Sequence, residues 1–133
     1  MSPFRHELRV RYGECDAQGI VFNAHYLAYF DVAYTELWRE AVGSWSEMTG
    51  RGYDVVVAES RLRFRAPARF DDIVAIELAP ALGRTSITTT ARYLRGEELL
   101  VEGELRHVVV STDDWRPVEM PDWLRTGLVR FQP

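Results

Sequence analysis

The chain has 133 residues, 47% hydrophobic and 27% charged, with a formal net charge of −4. This leaves room for one core and not two, and the acidic balance offers no electrostatic attraction for nucleic acid or an anionic membrane. All 16 basic residues are arginine, and Cys15 is the only cysteine, which excludes an intrachain disulfide and a cysteine-based zinc cluster.

The opening MSPFRHELRV lacks the apolar run of a signal peptide, and no stretch approaches the roughly 18 apolar residues of a membrane span. The expectation is therefore a soluble, cytoplasmic, single domain over residues 1–133. Residues 5–12, RHELRVRY, alternate and stop at Gly13, which predicts a first strand. Residues 13–22 carry Gly13 and Gly19 and read as irregular. From Asn23 the period changes. Tyr26, Leu27, Phe30, Ala33, Tyr34, Leu37, Trp38 and Ala41 recur at steps of three and four, predicting a helix of about five turns with a broad buried stripe. Asn23 is the expected N-cap and Gly43 the expected stop. Ser44 and Glu47 have capping-box spacing and predict a short second helix ending near Gly50.

The remainder reads as sheet. In 61–66, RLRFRA, Leu62, Phe64 and Ala66 alternate with arginines, giving a half-buried strand with a basic outer face. IVAIELAPAL follows Asp71 and Asp72, and Pro80 within it argues for an edge or a bulge. Residues 85–94 are rich in β-branched side chains. Gly96 marks a hairpin, and 98–112 returns with Leu99, Val101, Leu105, His107 and Val109 on one face. A helical turn is expected after Pro121. Strand, long helix and four strands joined by short turns make an α+β protein whose sheet covers the helix.

Asp16 is the residue on which chemistry turns. A turn carboxylate commonly bonds a nearby backbone amide. This one also precedes a helix whose first amides are unpaired and whose dipole is positive at that end. Amides around Phe22 to Ala24 would hold a developing oxyanion, and a carboxylate beside them would attack a carbonyl or activate water. That pair suffices for a thioester, whose thiolate leaves with little acid assistance.

The run YGECDAQGIVFNAHYLAYFDVAYTE resembles the signature of the 4-hydroxybenzoyl-CoA thioesterase family of hotdog-fold acyl-CoA thioesterases. FRAPARFDDIVAIE and LGRTSI resemble later strands of that family, so the similarity spans roughly residues 5–112. The resemblance implies a five-stranded antiparallel sheet wrapped around one long central helix, and a homodimer joined edge to edge with active sites at the subunit boundary, commonly paired into a homotetramer. It further implies an acyl-CoA substrate and no metal or redox cofactor. Position by position, Asp16 matches the catalytic carboxylate and the backbone amide of Asn23 the oxyanion donor. Tyr12 matches a tyrosine of the branch associated with the Tol-Pal envelope system, which carries a histidine where this chain has Asn23; the difference favours a mechanism built on carboxylate and helix dipole. Arg84, Thr85 and Ser86 match the grip on the nucleotide phosphates of CoA; the alternative is an exposed strand start.

His25, Tyr26 and Tyr29 are expected to shape the acyl pocket, with His25 in pocket or interface contact rather than catalysis. Glu59 is expected at the dimer seam, as an interface polar residue or an acid near the substrate. His107 reads as a core or interface histidine, Cys15 as a small packed side chain and Asp71–Asp72 as a turn. Three scattered histidines lack metal-ligand spacing. The leading expectation is a hydrolase that releases free acid and CoA. Its alternatives are a non-catalytic module binding acyl-CoA or acyl-carrier protein, and a hotdog hydratase or dehydratase.

Overall fold

A computed structural model describes residues 2–133. In chain order it contains β1 (Phe4–Arg9), a 3₁₀ turn (Tyr12–Glu14), α1 (His25–Ala41), α2 (Trp45–Gly50), β2 (Tyr53–Phe64), β3 (Ile73–Leu82), β4 (Ser86–Arg95), β5 (Glu98–Ser111), α3 (Asp122–Leu128) and a closing 3₁₀ turn (Val129–Phe131). The five strands form one sheet in the order β1-β3-β4-β5-β2, with every neighbouring pair antiparallel. The α+β architecture and five-stranded antiparallel sheet expected from the sequence are present.

The helical layer differs from one long helix. α1 has 17 residues, and the short α2 and α3 share its face of the sheet. Tyr26, Tyr29, Phe30, Ala33, Tyr34, Leu37 and Trp38 of α1 are buried, each aromatic or leucine contributing on the order of 2–3 kcal/mol of apolar burial. Leu27, placed in the stripe by its spacing, is 37% exposed, and Tyr29 takes the buried position instead. Asn23 is not the N-cap. Ala24 holds that position without a side-chain cap, because Phe22–His25 already close a turn through His25 N to Phe22 O at 2.8 Å. Gly43 does stop the helix: its φ of +127° is open to glycine, and its amide and that of Val42 both bond Trp38 O. The Ser44–Glu47 capping box is formed, with Ser44 Oγ accepting from Glu47 N at 3.1 Å.

β2 begins at Tyr53, eight residues before the predicted start, and forms one outer edge of the sheet. It carries a bulge between Val57 and Glu59, and Phe64 at its end is 52% exposed rather than in the core. β2 and β3 are not a hairpin. Residues 65–72 carry the chain from the β2 edge across the sheet to β3, which pairs with β1 and β4. Pro80 is neither on an edge strand nor at a bulge. Pairing with β1 ends at Leu78, so Pro80 lies in an overhang with only β4 beside it, where a missing N–H is tolerated. A second register shift, between Tyr93 and Leu94, leaves Leu100 extra in β5; Leu100 is buried and Leu99 is turned off the face on which the alternation put it. α3 is seven residues, longer than the single turn expected.

His107 is in the core, 4% exposed. No helix among the described residues is long and apolar enough to cross a membrane.

Candidate active site

Residues 14–22 form a small hairpin. Phe22 N bonds Glu14 O at 3.0 Å, Cys15 bridges Val21, Asp16 N bonds Ile20 O at 2.9 Å, and Gly19 N bonds Asp16 O at 2.9 Å. Gly19 closes the turn at a φ of +79°, a conformation that side chains other than glycine resist. Asp16 therefore stands at the bend, half-buried and close to the start of α1. Its Oδ1 accepts from Gln18 N at 2.8 Å, the turn bond that its type favours, while Oδ2 has no partner among the described residues.

Asp16 lines a cavity of about 390 Å³ together with Gln18, Ile20, Val21, Asn23, Tyr26 and the segment Phe64–Pro67. The size suits a small-molecule group. At its floor Tyr26 is buried, and its hydroxyl accepts from Ala68 N at 3.1 Å. Burial pushes the Tyr26 phenol above its usual range, so it stays a neutral donor. Phe22 N is committed to Glu14 O, but the amides of Asn23 and Ala24 have no acceptor among the described residues. They are two unpaired donors beside the entrance to α1, where the helix dipole reinforces them.

The crossover 65–72 is the other wall, held by bonds from the hairpin and from Arg95 at the end of β4. Val21 N bonds Ala68 O at 2.9 Å, Ile20 bridges Arg69, and the Arg95 guanidinium bonds both Pro67 O at 3.3 Å and Asp72 Oδ2 at 2.7 Å. Asp72 also accepts from Arg69 N at 2.8 Å. Burial would raise the Asp72 carboxyl, but the Arg69 amide and the Arg95 guanidinium more than reverse this and hold it below the usual range. Asp71–Asp72 is the turn expected, and Arg95 is a contributor that sequence reading missed. Its only signal was an arginine just before the Gly96 turn, 23 residues from its partner.

The other sequence candidates separate into groups. Tyr12 shares a second cavity of about 460 Å³ with Asp16, but it is 81% exposed and meets Phe70 edge-on at 5.9 Å. His25 and Tyr29 line a third cavity, with Arg11, Glu14, Ala28 and Val32, and do not reach the Asp16 cavities within one protomer. The Tyr29 hydroxyl donates to Glu14 Oε1 at 2.8 Å. Burial raises Tyr29, and the adjoining Glu14 raises it further. Burial acts to raise Glu14 as well, yet hydrogen bonds from the Arg11 amide, Tyr29 and the Arg11 guanidinium outweigh it and keep the carboxyl ionised below its ordinary range. Cys15 is half-buried and packs against the core. Glu59 is exposed on the β2 edge, beside the bulge. Arg84, Thr85 and Ser86 lie at the far end of β3, roughly 30 Å along the strand from the Asp16 end. Arg84 is exposed there, with Glu119 Oε2 at 3.6 Å. Among the described residues no group of histidine, cysteine and acidic side chains is arranged to hold a metal ion.

The family model described as Thioesterase superfamily matches residues 18–102. An acyl-CoA thioester hydrolase of Escherichia coli, YbgC, is 32% identical over 120 residues, covering 89% of this chain and 90% of that one. Among solved structures, a hypothetical protein from Thermus thermophilus superposes with a TM-score of 0.87 at 30% identity, over 96% of this chain and 98% of that one. A 1,4-dihydroxy-2-naphthoyl-CoA thioesterase from Synechocystis has a TM-score of 0.88 at 17% identity, over 96% of each chain, a likeness of fold.

Proposed function

Because the chain belongs to the thioesterase superfamily, and is by that membership a thioester hydrolase of the hotdog fold, we propose that it cleaves acyl-CoA at Asp16. The observation that carries this reading is the pairing of a half-free carboxylate with the unpaired amide of Asn23 on one cavity, the unpaired amide of Ala24 following it in the chain. The thioester carbonyl sits with its oxygen on the amide of Asn23, assisted by that of Ala24. As the carbonyl carbon becomes tetrahedral, negative charge grows on that oxygen, and fixed donors with a helix dipole behind them stabilise it more than they stabilise the substrate. Asp16 Oδ2 attacks the carbon or takes a proton from the water that does. In either case the C–S bond breaks and CoA leaves as thiolate. After direct attack, water then cleaves the acyl–Asp16 anhydride to the free acid and the Asp16 carboxylate, whereas after base-assisted attack the water oxygen is already the hydroxyl of the acid. Neither step requires a histidine where this chain has Asn23, nor a metal or redox group.

We further infer that the whole chain acts as one domain in a homodimer or dimer of dimers. β2 is an edge strand whose outer side is unpaired, with Val57 55% exposed and Phe64 also bare. Long apolar edges are normally covered. Antiparallel joining of two β2 edges about a two-fold axis lays the Tyr53 end of one strand beside the Phe64 end of the other. That brings the partner's end of the sheet carrying Arg84, Thr85 and Ser86 to the rim where Asp16 opens, and it sets Glu59 at the seam. In this assembly the arginine and hydroxyls contact the nucleotide phosphates, Tyr26 and Phe64 flank the acyl group, and Tyr12 lies at the entrance, while His25 and Tyr29 line the separate cavity beside it.

Asp16→Asn tests the reading directly. The amide keeps the Gln18 turn bond and loses the negative charge. Thiol release from a panel of CoA thioesters is expected to fall at least a thousandfold, with circular dichroism and CoA binding unchanged. A folded variant that keeps most of the rate overturns the assignment, and a wild-type protein that binds CoA thioesters without releasing thiol identifies a binding module.

A further inference from the structure

We propose that Glu14 and Tyr29 are positioning residues, their hydrogen bond bracing the Asp16 hairpin against α1 and setting where the carboxylate stands relative to the amides of Asn23 and Ala24. This rests on the hydrolase reading above.

The hairpin is a two-stranded ribbon of nine residues, a unit with little stability of its own. Its second strand is tied outward: Val21 bonds Ala68 and Ile20 bridges Arg69. The first strand, which carries Asp16, has a different anchor, the Glu14 side chain. Glu14 Oε1 accepts from Tyr29 OH at 2.8 Å and from Arg11 N at 2.7 Å, and Oε2 accepts from the Arg11 guanidinium at 3.2 and 3.3 Å. The carboxylate side chain is only 13% exposed, and the Tyr29 ring is buried in α1. A charge-assisted bond from a donor on a packed helix is a stiff link. It enters the chain two residues before Asp16, and it ends one helical turn past the entrance where the free amides lie. Hairpin and helix thereby share one strut. Neither residue lines either Asp16 cavity, so neither touches substrate there. A carboxylate displaced by about 1 Å from its attacking position loses rate far more than it loses binding.

The test compares Tyr29→Phe, which removes one oxygen and keeps the buried ring, with Glu14→Gln, which keeps an acceptor for Tyr29. Two readouts are taken on the full chain: kcat and KM for thiol release, and hydrogen–deuterium exchange of the peptide over residues 14–22. Tyr29→Phe is expected to lower kcat about tenfold, the worth of one well-placed hydrogen bond, with KM within about twofold. Exchange over 14–22 is expected to quicken while that of the sheet stays as in wild type. Glu14→Gln is expected to fall between the two in both readouts. A wild-type kcat in Tyr29→Phe, a loss confined to KM, or a lower kcat with unaltered exchange over 14–22 each overturns the brace while leaving the hydrolase standing. A wild-type protein that releases no thiol overturns the hydrolase reading and the brace with it.

Discussion

The imidazole of His107 lies flat against the ring of Tyr34, their centroids 4.4 Å apart and their planes 7° from parallel. Phe30 stacks on the same imidazole at 6.1 Å, so a titratable ring is sealed inside an aromatic layer between α1 and the sheet. Its Nδ1 has no partner among the described residues. Burial alone pulls the His107 pKa down to about 4, since charging the ring would place a cation among apolar neighbours.

The sign of the resulting pH dependence follows. A folded pKa below the ordinary 6.5 means that the unfolded chain binds the proton first, so His107 favours the fold fully above about pH 6.5 and loses that contribution as pH falls toward 4. The loss is on the order of 3 kcal/mol. His107→Phe, which keeps the stack and removes the titration, is expected to flatten the melting temperature between pH 7 and pH 4.5 relative to wild type. Parallel curves for the two proteins would refute the assignment.

If Asn23 acts through its main chain, its side chain is dispensable. Asn23→Ala is expected to retain thiol release within about threefold. Asn23→Pro deletes the N–H and is expected to lower kcat by ~10²–10³, the usual loss for one oxyanion donor. Circular dichroism on both variants guards against a folding defect. Equal losses in the two would transfer the role to the carboxamide.

The unpaired β2 edge carries the predicted dimer. Val57 is exposed in the protomer, so Val57→Glu has no cost to the isolated fold but opposes two copies meeting along that strand. Light scattering is expected to report a folded monomer with thiol release reduced at least tenfold. An unchanged oligomer would move the interface elsewhere.

Gly127 holds α3 against the end of α1. A Cβ there would stand 2.2 Å from Ala41 O and 3.0 Å from Ala41 C, backbone atoms that cannot swing aside. Gly127→Ala is expected to destabilise by roughly 2–3 kcal/mol in urea unfolding, as overpacked sites do. A midpoint equal to wild type would mean that α3 shifts freely.

The elements legible in the sequence are those set by local signals. The Ser44–Glu47 spacing and the steps of three and four in 26–41 depend on a few neighbouring residues, and both elements formed where the pattern put them. What was hidden depends on partners far along the chain. The extra residue at Leu100 turns Leu99 off its face, and no alternation shows where a bulge falls. VVVAES gave continuous apolar character followed by polarity, so the first half of β2 carried no period of two. That Asp16 and Asn23 meet on one cavity was legible because both lie on one short stretch. Glu14 looked like another turn acid; its bond to Tyr29, fifteen residues on, needs the three-dimensional hairpin to be seen. His25 is one residue and so about 100° of helix away from Tyr26, which puts it on another side, while Tyr29 stays beside Tyr26 with ring centroids 6.0 Å apart but turns its hydroxyl to Glu14 and the neighbouring cavity.

The crossover at 65–72 is pinned by Tyr26, Val21 and Arg95 before any acyl chain arrives. A mould set in advance selects cargo by what it refuses, because little binding free energy is diverted into ordering the rim. With the acyl group in this cavity, as proposed above, preference among acyl groups is expected to change on resizing side chains such as Phe64 or Ala66, whereas loosening the backbone around them is expected to degrade every substrate alike.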